Sequence, residues 1–248
     1  MGALLAGGVA WHLSPSPDCP ARTVRFPKNR VLGELFAEPY PAGGRSLSEM
    51  KGLGKALGEV SVPAGHRLVL YVEKEMSERD MKALAKLAPR DLQSLLLGGC
   101  DITDAGLAYL RNLTWLEHLD LSCNSISGEG LAHLERMLLL ERLEVWGCDL
   151  TEAGLAHLPP LPSLRDLAIS LHLELPDSAL VDLDKLIALE SLDLHSTPIG
   201  DGALAHLKKL RNLRHLNVSY TKISQNGAAE LCAALPRCQI SWQPTSAW

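Results

Sequence analysis

Leucine returns along residues 92–242 with a fixed beat. The pattern Leu-x-x-Leu-x-Leu, with Val or Ile at its last place in some units, starts at Leu92, Leu116, Leu140, Leu164, Leu189 and Leu213, at steps of 24, 24, 24, 25 and 24 residues. A constant period in this range predicts a solenoid, in which each unit is one short strand, one turn and a helical return. No single unit can bury its own leucines, so only coils stacked above and below it complete a core.

In the unit from Leu116 to Leu134, strand alternation points Leu119 and Leu121 inward and leaves His118, Asp120 and Ser122 facing out, with Leu116 closing the edge. Asn124 falls where the chain turns, and its amide is expected to satisfy buried backbone groups that no ladder reaches. The same slot holds Cys100, Cys148, Thr197 and Thr221. In the return leg Leu131 and Leu134 share a helical face, and Gly106, Gly130, Gly154 and Gly227 recur ahead of it, where they are expected to ease the bend.

One unit departs from the beat. Ser170-Leu171-His172-Leu173-Glu174-Leu175-Pro176 carries an extra residue, has Ala179 in place of the glycine, and shows no Asn, Cys or Thr in the slot. The expectation is a bulged loop repacked with the extra leucine, since single insertions in surface turns cost little; the alternative is a kink that shapes a binding surface.

One period back from Leu92 lies Leu68. Arg67–Val72 supplies a strand and 78–87 a return helix, N-capped by Ser77 with Glu78 and Asp80 in its first turn. Upstream, Thr23–Phe26, Val31–Phe36 and Leu57–Val62 have β character, and Pro63-Ala64-Gly65 is expected to join the last of these to Arg67–Val72 as a hairpin. Ser46–Lys55 is interrupted by glycine and is taken as loop or weak helix. At the other end Cys238–Trp242 is a closing strand, with Pro236 ending the helix before it. The expected organisation is a tail over 1–21, a β-rich cap and degenerate first repeat over 22–90, the repeat array with its closing strand over 91–242, and a tail over 243–248.

The stretch Leu95-Leu96-Leu97-Gly98-Gly99-Cys100-Asp101-Ile102-Thr103-Asp104-Ala105-Gly106-Leu107, with its counterpart Leu143–Leu155, resembles the short, cysteine- or asparagine-slotted leucine-rich repeat of bacteria. Ala203-Leu204-Ala205-His206-Leu207 and the Gly-Leu-Ala-His-Leu versions are similar to the GALA-type repeats of bacterial effectors; the first ninety residues carry no F-box-like segment. The resemblance covers Leu92–Trp242. It implies an α/β fold, a curved right-handed solenoid with a parallel sheet on the concave side and helices on the convex side, which recognises a ligand, usually a protein, on the sheet.

Composition narrows the partner. Apolar residues make up 46% of the chain and aromatics 4%, so leucine and alanine must build the core. A net charge of -5 with mixed signs offers no basic footprint for nucleic acid. The six cysteines form no C-x-x-C pair, which fits a reducing, cytoplasmic setting. The apolar run Gly2–Trp11 lacks a basic flank and is too short to span a bilayer; were it the remnant of a signal or anchor, the protein would be secreted or membrane-tethered.

Stacking the units aligns their outward positions in columns: Ser94, His118, Arg142, Asp166, Ser191, His215; then Leu96, Asp120, Glu144, Ala168, Asp193, Asn217; then Gly98, Ser122, Trp146, Ser170, His195, Ser219. The predicted partner-binding residues are His118, Asp120, Arg142, Glu144, Trp146, Asp166, Asp193, His195, His215 and Tyr220, because tryptophan, tyrosine and arginine dominate interface energies. The competing reading is a solvated sheet on which Trp146 covers aliphatic neighbours. His133 and His157 stack on the return leg, but no set of three or four metal ligands accompanies them. Cys123 near His118, or His195 near Asp193, lacks a predictable oxyanion donor. The sequence therefore predicts a non-enzymatic protein-binding module with no catalytic residues, metal or cofactor and leaves oligomeric state open. The alternative is a targeting or substrate-recognition subunit of a larger enzyme or effector complex. A catalytic segment within 22–90 would have His66 as its only histidine and no cysteine.

Overall fold

The computed structural model describes residues 20–39, 50–73 and 75–244. The apolar run Gly2–Trp11, nearly all of the proline-rich stretch to Ala21, residues 46–49 and the last four residues lie outside the described residues, and so do the expectations placed on them.

Eight strands follow one another in parallel. They are β5 (His66–Tyr71), β6 (Ser94–Leu96), β7 (His118–Asp120), β8 (Arg142–Glu144), β9 (Asp166–Ala168), β10 (Ser191–Asp193), β11 (His215–Asn217) and β12 (Gln239–Ser241). Leu70, Leu95, Leu119, Leu143, Leu167, Leu192, Leu216 and Ile240 pair in succession, so the leucine spine is one row through the sheet. All the leucines of that row are buried. The chain folds as a leucine-spined solenoid, open at its ends, as the period predicts.

The ladder continues beyond the short strands. The N–H groups of Gly99, Cys123, Gly147, Leu171, Ser196 and Tyr220 each donate to the next coil, at 2.8 to 3.0 Å. All six residues take positive φ, from 54° to 67°. Left-handed backbone costs a residue with a Cβ about 1 kcal/mol, and the ladder bond holds it there. The column was not foreseen, since only Gly99 and Gly147 carry the glycine that would betray it.

Asn124 behaves as expected. Its Oδ1 accepts from the N–H groups of Cys100 (3.0 Å) and Ile102 (2.8 Å), and its Nδ2 donates to the carbonyls of Leu97 and Leu121 (both 2.8 Å) and Ser122 (3.1 Å). Cys100 and Cys148 occupy equivalent buried slots, with the Cys148 thiol on the Leu121 carbonyl at 3.3 Å. In the irregular unit the slot is filled after all: His172 is buried, with Nδ1 2.8 Å from the Cys148 carbonyl and Nε2 2.9 Å from that of Val145. The expected repacking of the extra leucine does not occur. Leu175 is buried, whereas Leu173 is 86% and Leu171 45% exposed. The added residue follows the last ladder bond, so β9 keeps register with β8 and β10 and the insertion bulges outward.

The return legs are shorter and tighter than a regular helix. Only the first, α1 (Glu78–Leu84), and the last, Gln225–Ala234, are α-helices of seven residues or more; Glu129–Leu134 and Asp177–Lys185 are 3₁₀-helices. Ser77 caps α1 and forms a reciprocal capping box with Asp80, a buried acid that also pairs with Arg30. Of the recurring glycines, Gly130 and Gly154 serve close approach of the neighbouring backbone rather than bending, whereas a Cβ on Gly106 would meet side chains only, the nearest being Ile102 at 3.1 Å. A Cβ on Gly130 would lie 2.6 Å from the Asp104 carbonyl, and one on Gly154 would collide with the Ser127 carbonyl. Asp104 accepts from the N–H groups of Ser127 (2.9 Å), Gly128 (3.1 Å) and Gly130 (2.8 Å) and from the Ser127 hydroxyl (2.7 Å), tying one coil to the next.

The amino-terminal segment differs from expectation in two places. Residues 51–55 form a strand, β3 (Lys51–Lys55), on the outer side of β2 (Glu34–Pro39), which pairs antiparallel with β5 and carries the main sheet past the first coil. The glycines of β3 pack nothing yet supply backbone to the ladder, so the side-chain pattern hid it. The hairpin through Pro63-Ala64-Gly65 is also not formed: β4 (Glu59–Val62) pairs with β1 (Arg22–Arg25) in a separate two-stranded sheet, and the turn only redirects the chain between sheets. Val24, Phe26, Leu32, Leu35 and Val62 join the same buried core as the repeats. Gln93 stitches the seam, accepting from the Leu68 N–H at 3.0 Å and from Arg22.

Candidate functional site

The strands align their outward residues as the sequence columns predict. One row pairs Ser94, His118, Arg142, Asp166, Ser191 and His215; the next pairs Leu96, Asp120, Glu144, Ala168, Asp193 and Asn217. In each strand from β7 to β11 the central leucine is buried and both flanking residues are partly exposed, because side chains alternate across a sheet. His118, Asp120, Arg142, Glu144, Asp166, Asp193 and His215 thus share one face. Trp146 and His195 sit half-buried just past the strand ends. Tyr220, 41% exposed, occupies the left-handed turn position and meets the His195 ring edge-on at 5.2 Å.

The third column is only partly outward. Ser122, Ser170 and Ser219 are buried, because the strand has ended before them and a short side chain stays inside the turn. Asp120 accepts from the Ser122 N–H at 2.9 Å, Asp193 from that of His195 at 2.9 Å, and Asn217 from that of Ser219 at 3.1 Å. Asp193 therefore uses its carboxylate on the backbone N–H of His195. Burial, with Asp120 adding to it, pushes the Cys123 thiol above its ordinary value, which opposes the thiolate a nucleophile needs.

The centre of the face is a clamp around Glu144. His118 Nε2 and Arg142 Nε both lie 2.9 Å from Glu144 Oε1, and the Trp146 side chain adds a further hydrogen bond. Burial pulls Glu144 toward protonation, but His118, Arg142 and Trp146 outweigh it and hold the carboxyl at about 2. His118 Nδ1 faces the Ser94 hydroxyl at 3.4 Å. The neighbouring acids go the other way. Burial, then the charge of Glu144, raises Asp120; burial lifts Asp166 to about 6 against the pull of Arg142.

This has a measurable consequence. A carboxyl whose folded value is raised binds protons more readily in the folded state, so the stability it costs sets in as pH rises from about 4 to about 6. Asp166→Asn should therefore raise the urea midpoint at pH 7.5, by about 1–2 kcal/mol of stability, and leave it nearly unchanged at pH 4. An equal gain at both values would show that Asp166 is not strained by its charge.

The face extends further than the columns reveal. Tyr71 pairs with Leu96 on one side and Glu34 on the other, and Tyr71 and Glu34 with Val31, Gly33, Lys55 and Glu73 line an open depression of about 230 Å³. Counting the 24-residue period back from Leu96 lands on Val72, one residue past the true partner Tyr71, because this first step is 25 residues; nothing periodic finds Glu34, whose strand runs antiparallel. Among the described residues no group of three or more His, Cys, Asp or Glu could hold a metal ion, and no helix is long and apolar enough to cross a membrane. His133 is half-buried and His157 exposed on the return legs.

A family model described as "Leucine Rich repeat" matches residues 88–110, 112–134 and 209–232. The coils between these stretches, including the irregular one, pair in the same register. Leucine-rich repeats of this family are therefore present at both ends of the array. Such domains generally mediate protein–protein interaction. No curated protein matches the chain in sequence. Among solved structures, a leucine-rich repeat protein of Leptospira interrogans is similar, with 20% identity and a TM-score of 0.46 over 67% of this chain and 40% of that one. This chain therefore spans well under half the length of that protein.

Proposed function

We propose that the protein is a non-enzymatic module that binds a protein partner across the concave sheet, with Trp146 at the centre of the contact. The observation that carries this reading is the clamp: a partly exposed indole beside Glu144, which is itself fixed by His118 and Arg142. Aromatic and arginine side chains already locked in place lose little entropy on binding, which is what makes such residues energetic anchors. The surrounding Asp120, Asp166, Asp193, His195, His215 and Tyr220 form the polar rim of the contact. Ser94, the hydroxyl 3.4 Å from His118 Nδ1, is itself buried, so His118 is read as part of the clamp and binding as the activity.

The test is Trp146→Ala. Capture from the native source, followed by titration of the captured protein, is expected to show affinity reduced about 30-fold, or about 2 kcal/mol, with the melting temperature moved by no more than about 2 °C. A variant that melts early yet binds as the parent does would place Trp146 in the fold and end this reading.

A further inference from the structure

We propose, on the basis of the binding reading above, that the concave face receives a cationic segment of its partner bearing arginines, seated over β7 to β10 with its guanidinium groups on Asp120, Asp166 and Asp193. Three features converge on this. The exposed side of β7 to β10 carries Asp120, Glu144, Asp166 and Asp193 against Arg142 as its one permanent cation, and Arg142 is spent on Glu144 together with His118. Electrostatic complementarity then selects a positive partner surface.

Aromatic faces accompany the carboxylates, with Trp146 beside Glu144 and the His195–Tyr220 pair beyond Asp193. A guanidinium both pairs with a carboxylate in a planar fork and stacks on an aromatic ring, which an ammonium does less well. Asp166 is also a poor residue for the free protein. Its carboxyl is lifted to about 6 by burial that its neighbours do not offset, so it costs stability in the absence of a cation and would be relieved by one.

The spacing sets the form of the segment. Asp120 on β7 and Asp166 on β9 lie two strands apart across the sheet and, being in neighbouring rows, two residues apart along the strands, a diagonal of about 12 Å at about 4.8 Å per strand and about 3.3 Å per residue. A polyproline-II chain returns to the same face every three residues, after about 9 Å. An Arg-x-x-Arg repeat in that conformation comes within about 3 Å of this span, which the long arginine side chains cover, and so meets both carboxylates.

The probe is a fluorescein-labelled Arg-Pro-Pro-Arg-Pro-Pro-Arg peptide, with glutamate replacing arginine in its control, titrated by anisotropy with the full chain at pH 7.5 and low salt. The arginine peptide is expected to bind and the glutamate peptide not. Asp120→Asn with Asp166→Asn should weaken binding at least tenfold. Four strands away, Asn217 makes with an amide the same backbone bond that Asp120 makes with its carboxylate, so the fold survives the first change, as circular dichroism and melting would verify. A charge-matched pair on the exposed return leg, Glu129→Gln with Glu135→Gln, should bind as the parent does. Equal loss in both double variants, or no binding by the parent, overturns the inference. If Trp146→Ala still abolishes partner capture while Asp120→Asn with Asp166→Asn spares it, the binding face stands and its cationic ligand does not; if neither change affects capture, both fall.

Discussion

Gly154→Ala should lower the stability of the protein by about 3 kcal/mol or more, from the addition of one methyl group. The new Cβ would be driven into the Ser127 carbonyl and would press on Gly128. That carbonyl cannot withdraw freely, because it accepts the Thr151 N–H at 3.0 Å and so joins the two coils. Overpacking a dense interior typically costs about 1–3 kcal/mol when side chains can shift, and here the obstacle is backbone. Gly52→Ala is the matched control, since a Cβ there meets nothing within 4 Å. Urea denaturation should show a large fall in midpoint for Gly154→Ala and none for Gly52→Ala. Similar midpoints for the two would mean that the coils are not in the backbone contact described.

Asn124→Ala is expected to cost a comparable amount by a different route. One amide satisfies two N–H groups and three carbonyls that lie at the turn, where the ladder has ended. Each buried group left without a partner costs about 1–3 kcal/mol, and the alanine also leaves a void. A total loss of about 3–5 kcal/mol follows, allowing some groups to reach water through the rearranged turn. Asn124→Cys should lose less, because the coils on either side build the same turn around Cys100 and Cys148. Hydrogen exchange at Cys100 and Ile102, whose N–H groups lose their acceptor in the alanine variant, would locate the damage; unchanged protection there would contradict the role given to the amide.

The contrast between these two residues shows what was legible. Asn124 announced itself, because an asparagine at a fixed interval after alternating leucines has a chemical reason to be there. His172 did not: a histidine in a slot otherwise filled by Asn, Cys or Thr is recognised only when its two nitrogens are seen against the carbonyls of Val145 and Cys148. The glycines were seen as a column, but at Gly130 and Gly154 the reason is close approach and not the expected bend. Conformational freedom and close approach leave the same mark in a sequence, and only the neighbouring coil tells them apart. Strand β3 and the partner of β4 were misjudged because antiparallel pairing at the cap follows no period.

The candidate face divides the same way. Its membership was readable, since a period of 24 residues and a strand alternation of two place His118, Arg142 and Asp166 in one row and Asp120, Glu144 and Asp193 in the next. Its electrostatics were not. That Glu144 is held at about 2 while Asp166 rises to about 6 depends on burial and on which carboxylate the nearby cations reach.

The amino-acid order by itself determined the solenoid, its leucine spine and the outward columns, because each is a repeating pattern whose stacking has one solution that buries the leucines. The tertiary structure decided which glycines are indispensable, how the irregular coil closes, where the cap strands pair and which acids carry charge. Those outcomes depend on distances between coils that are far apart in sequence and touch only after folding, and no local pattern encodes such a distance.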